Sequence, residues 1–132
     1  EADILLCFEK LEALRWLDYA KKDGAIIIND QKIDPMPVII GKATYPDNII
    51  KNITSRFKNV CAIDALETAK KLGNLKVLNI VMVGLMAKST DIPEETWREA
   101  IRETVKEKFV DINLKAFDEG YRIAGCMLDL SK

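Results

Sequence analysis

Histidine is absent from all 132 residues. Its absence removes the commonest general base and the commonest metal ligand together, and it excludes any Ser–His–Asp or Cys–His nucleophile pair. The three cysteines, Cys7, Cys61 and Cys126, lie far apart with no CxxC spacing. An odd, scattered set speaks against a disulfide framework and against a zinc or iron–sulfur site, so no metal ligand is assigned. The six glycines, at positions 24, 41, 73, 84, 120 and 125, spell neither GxGxxG nor GxxxxGK. No phosphate cradle is legible, and no cofactor-binding residue is assigned. Charge of one sign is missing too: 20 basic and 21 acidic side chains leave a net charge of −1. Without a basic stripe, nucleic acid and anionic membrane are not expected partners. The longest apolar stretch, Val77 to Ala87, is about half of the ~20 residues that a membrane helix needs. With no targeting segment and no cysteine framework, the expected location is the cytoplasm.

What is present reads as an α/β domain. Ile4 to Phe8 form a short apolar strand. Leu11, Leu14 and Leu17 then recur at helical spacing, with Glu9, Glu12, Arg15 and Asp18 on the other side. Lys21 and Lys22 suit the C-terminus of that helix and Gly24 its left-handed cap. AIIIND (residues 25–30) is apolar on both faces, as a strand covered on both sides reads. Pro35 and Pro37 argue against a helix, so a loop and a short strand, Val38 to Ile40, are expected there, at a sheet edge. Pro46 precedes a helix with Ile50, Ile53 and Phe57 on one face.

VCAID (residues 60–64) is a further strand, and Asp64 with Glu67 reads as a helix N-cap. Gly73 and Asn74 close that helix, and the Val77–Ala87 run predicts a buried one. Pro93 opens a helix with Trp97, Ile101 and Val105 as its inner stripe. The last helix carries Val110, Leu114, Phe117 and Tyr121. The expectation is a single three-layer α/β/α domain over residues 1–132 with a mostly parallel sheet and an irregular tail over 125–132.

Few residues present themselves for chemistry. Asn29 and Asp30 end a predicted parallel strand, the edge where open α/β sheets place ligands. Asn79 is the one polar side chain in an apolar helix. Burial would require a partner for it, whether a carbonyl, a loop, a ligand or another subunit. Gly84 permits close approach of a neighbouring element. Asn113 and Lys32 read as a helix-to-loop contact and an exposed loop cation. No catalytic residue is assigned, and the acidic residues fall mostly on helix surfaces.

Five stretches in order carry a resemblance: EADILLCFEKLEAL, IIIND with QKIDPMPV, the YP before a helix, AIDALETAKKLGNLKVLNIVMVG, and VDINLKAFDEGY. Over Glu1 to about Arg122 the chain resembles the gamma-type subunits of 2-oxoacid:ferredoxin oxidoreductases, most of all the small beta subunit of the indolepyruvate enzymes. The resemblance implies an accessory subunit that lacks a complete active site. It implies thiamine diphosphate and iron–sulfur clusters on a large partner subunit, coenzyme A as co-substrate, ferredoxin as acceptor and an arylpyruvate as substrate. It also implies a glycine-rich segment ahead of the equivalent of Glu1, so the sequence reads as the C-terminal two-thirds of such a domain, with an exposed sheet edge open to self-association. Asn29, Asp30 and Asn79 are the positions expected to face a partner or ligand. A stand-alone Rossmann-like domain binding a nucleotide or coenzyme A, or a purely structural scaffold, remain the other readings.

Overall fold

The computed structural model describes residues 1–128. Contacts divide the chain into two compact units, Glu1–Ile63 and the part from Asp64 onward. In the first, β1 (Ala2–Cys7), β2 (Ala20–Asn29) and β3 (Asn59–Ile63) form a parallel sheet in the order β1-β2-β3. The α/β class and parallel sheet read from the sequence are what the structure has.

The middle strand explains its own composition. Ile26, Ile27 and Ile28 of β2 are all fully buried, so both faces of the strand are covered. On one face Leu5 and Cys7, Ile26 and Ile28, and Val60 and Ala62 alternate onto a single core. α1 (Lys10–Trp16) and the turn after it supply Ala13 and Leu17 to that core, and α3 (Ile49–Arg56) supplies Ile49 and Ile53. Each buried isoleucine contributes about 1.5–3 kcal/mol. Ile27 and Cys61 are register partners on the opposite face and are equally buried.

Two local expectations are corrected. Lys21, Lys22 and Gly24 do not end a helix. α1 stops at Trp16, a single 3-10 turn covers Leu17–Tyr19, and the chain enters β2 at Ala20. Between the pairs Ala2↔Ala20 and Ile4↔Ala25 the register shifts, so β2 bulges where those residues lie. A Cβ on Gly24 would stand 3.0–3.1 Å from the carbonyl oxygens of Asp3, Ala2 and Lys21. Glycine is there for close backbone approach, not for a left-handed cap.

The strand expected over Val38 to Ile40 is instead part of a one-turn helix, α2 (Met36–Ile39), with Pro35 as its N-cap. Prolines fit because the first-turn N–H groups have no partner inside a helix anyway. The Ile39 and Ile40 N–H groups, the first that need acceptors, donate to the carbonyls of Pro35 and Met36 at 3.1 and 3.0 Å.

The second unit is helical: α4 (Ala65–Lys71), α5 (Leu78–Ala87), α6 (Glu94–Thr104) and α7 (Val110–Leu128). Asp64 caps α4 by accepting from the Glu67 N–H at 2.9 Å, and Gly73 follows that helix at φ 87°. α5 and α7 touch backbone to backbone. A Cβ on Gly84 would lie 2.3 Å from the Phe117 carbonyl oxygen, and one on Gly120 2.1 Å from that of Val81. The α6 stripe of Trp97, Ile101 and Val105 packs with Leu114, Phe117 and Tyr121 of α7.

α7 continues through Leu128, so Gly125 to Leu128 are helical where an irregular tail was expected. Ala124, fully buried one turn after Tyr121, extends the inner stripe, and a glycine inside a helix costs only about 1 kcal/mol. Residues 129–132 of that expected tail lie outside the described residues.

Candidate functional site

The C-terminal ends of β1 and β2 hold the densest polar arrangement of the first unit. Glu9 follows β1 by two positions and caps α1: its Oε2 accepts from the Glu12 N–H at 3.0 Å. Its Oε1 accepts from the Ile33 N–H at 3.2 Å and from the hydroxyl of Tyr45. Glu9 and Tyr45 are both only 8% exposed, which makes their hydrogen bond an interior one. Burial pushes the Glu9 carboxyl up. The donors from Tyr45, Ile33, Glu12 and Leu11 outweigh that and hold it below the usual carboxylate range. Burial, and then the anion beside it, push the Tyr45 phenol well above its ordinary value. This pair is an anchor: an ionised carboxylate with its lone pairs committed, and a phenol that keeps its proton.

Asn29 lies next to it and is 1% exposed. Its Nδ2 donates to the Phe8 carbonyl at 3.2 Å and to Gln31 Oε1 at 2.9 Å, tying the ends of β1 and β2 together. The backbone continues the stitch: the Lys10 N–H donates to the Gln31 carbonyl at 3.1 Å, and the Asp30 N–H to that of Ile63 at 2.7 Å. Asp30 itself is exposed, with Oδ1 3.4 Å from Lys10 Nζ. Beside this pair runs an open groove of about 460 Å³ lined by Lys10, Asp30, Asn48, Ile49, Ile50, Lys51 and Thr54. Its lining mixes two ammonium groups, one carboxylate and a hydroxyl with the side chains of Ile49 and Ile50. Asn48, at its rim, adopts the left-handed conformation at φ 56°, which asparagine tolerates better than most residues.

The sequence candidates divide accordingly. Asn29 and Asp30 do stand at this edge, one as a buried tie and one as an exposed charge. Asn79 belongs to the second unit and is exposed on α5, its Oδ1 accepting from the Ile80 N–H at 3.0 Å. The burial expected of it is corrected: the helix is apolar, yet at this position it faces out. Lys32 is exposed, 3.4 Å from Asp34 and with Nζ 5.0 Å from the centre of the Tyr45 ring. Asn113 bonds the Phe109 carbonyl of its own preceding turn at 2.8 Å.

Sequence reasoning missed Glu9 and Tyr45. Periodicity puts Glu9 on the solvent face of α1 with Glu12, and glutamate is an unusual N-cap. The signal lay in its place between a strand end and a helix start.

An iron–sulfur cluster does not fit these side chains. Among the described residues no group of three or more cysteine, aspartate and glutamate side chains comes together around a metal position. Burial lifts the Cys7 and Cys61 thiols to about 11. Among the described residues no helix is long and apolar enough to cross a membrane.

Residues 1–123 match the family model for pyruvate ferredoxin/flavodoxin oxidoreductase. The chain belongs to this family. Within it, the chain is 38% identical to the indolepyruvate oxidoreductase subunit IorB of Thermococcus kodakarensis, over 98% of its own length and 67% of that protein's. It is 39% identical to the IorB of Archaeoglobus fulgidus, over 93% of its length and 63% of the relative's. The chain therefore spans about two thirds of the length of these curated relatives. Among solved structures it is similar to the gamma subunit of a keto/oxoacid ferredoxin oxidoreductase from Geobacter sulfurreducens, with a TM-score of 0.70 at 24% identity, covering 95% of this chain and 65% of that one. It is also similar to part of the 2-oxoglutarate:ferredoxin oxidoreductase of Magnetococcus marinus, with a TM-score of 0.65 at 23% identity, covering 96% of this chain and 20% of that much longer one. The oxidoreductase resemblance read from the five stretches is thus borne out, and the structural likenesses establish the fold.

Proposed function

We propose that this chain is an accessory subunit of a 2-oxoacid:ferredoxin oxidoreductase, acting on indolepyruvate or a similar arylpyruvate. Decarboxylation would take place on thiamine diphosphate, and electrons would leave through iron–sulfur clusters, both held by a larger partner subunit. Coenzyme A would accept the acyl group and ferredoxin the electrons. The observation that carries the reading is the 38% identity to an indolepyruvate oxidoreductase subunit along 98% of this chain.

The chemistry of the sheet edge supports a supporting role. Glu9 lines a small groove with Glu12, Arg15 and Ile33. Its two carboxylate oxygens are already committed to the Tyr45 hydroxyl and to the Ile33 and Glu12 N–H groups, which leaves it poorly placed to move a proton. What this edge offers is shape and charge: Lys10, Lys51, Asp30 and Thr54 around an open groove. Asn29, Asp30 and Asn79 remain the proposed partner- or ligand-facing positions, with Asp30 and Asn79 exposed and Asn29 acting through the backbone it ties.

Co-expression with the thiamine-binding large subunit tests the reading. A stable complex on size exclusion is expected. Migration of the two chains as separate species at micromolar concentration would sink it.

A further inference from the structure

We draw no further inference here: the strongest candidate, the open groove beside the C-terminal ends of β1 and β2, rests on Lys10 and Lys51 around the N-terminus of α3, and nothing in the structure shows what it would hold.

Discussion

Tyr45 donates its hydroxyl to the carboxylate of Glu9 across 36 positions of sequence, inside the protein. The bond joins the end of β1 to the segment entering α3, and it gathers the Ile33 N–H as well. Hydrogen bonds to an ionised group are worth about 1.5–3 kcal/mol, so Tyr45→Phe is expected to destabilise by that amount. Urea denaturation at neutral pH measures it.

Acid dependence follows from the same pair. The folded-state pKa of Glu9 lies below its unfolded value. Its contribution is therefore complete above the ordinary glutamate pKa of about 4.3 and is lost as pH falls through the depressed folded value. Glu9→Gln should lower stability at pH 7 and flatten the slope of unfolding free energy against pH in that acid window. An unchanged slope would show that Glu9 does not titrate in this way.

The α5–α7 crossing makes a prediction with its own control. A methyl group at Gly84 or Gly120 meets a carbonyl oxygen at 2.3 or 2.1 Å. Backbone cannot yield as a flexible side chain can, so overpacking should exceed the ~1 kcal/mol that alanine gains in a helix. Gly84→Ala and Gly120→Ala are each expected to cost about 2 kcal/mol or more. The double variant should cost less than the sum, since both act on one contact. At Gly125 the nearest atom is Lys88 Cε at 3.7 Å. Gly125→Ala should be neutral or stabilising by up to about 1 kcal/mol, and thermal melts would rank all four.

Thiol chemistry separates the cysteines. Cys7 and Cys61 are buried with pKa values pushed to about 11, whereas Cys126 is exposed. At pH 8 a thiol reagent should label Cys126 promptly in the native protein and reach the other two only on denaturation. Mass spectrometry of labelled peptides would read this directly.

Removing the α4 cap is expected to have a modest effect. Asp64→Ala frees the Glu67 N–H that the carboxylate now accepts at 2.9 Å. A loss of about 1 kcal/mol is expected, visible as a shifted denaturation midpoint with an unchanged slope.

Much of this fold could be read from residues alone, and the reason differs by element. The isoleucines of β2 announced a strand covered on both faces, and the Asp-x-x-Glu at 64–67 announced a cap, because each pattern has a single physical explanation. Gly84 was legible as a point of close approach, while its reciprocal, Gly120, needed the pairing of α5 with α7 that only tertiary structure supplies. The α2 turn was obscured because proline excludes a helix interior but not a helix start. Lys21, Lys22 and Gly24 mimicked a helix end because a bulged strand entry and a capped helix use the same residues.

At the candidate site, the position of Asn29 and Asp30 at a strand end was legible through the geometry of parallel sheets. Glu9 and Tyr45 were hidden, since a long-range hydrogen bond leaves no periodicity. Asn79 misled through its apolar neighbours: α5 is apolar nearly all round, so composition could not tell its exposed positions from its buried ones.

The most direct test of the accessory-subunit account is oxoacid-dependent, coenzyme A-dependent dye reduction by the large subunit as this chain is titrated in. The account predicts no turnover by this chain alone and a rate that rises and saturates near equimolar addition. Turnover of indolepyruvate by the chain unaided, or a large-subunit rate indifferent to its presence, would contradict it.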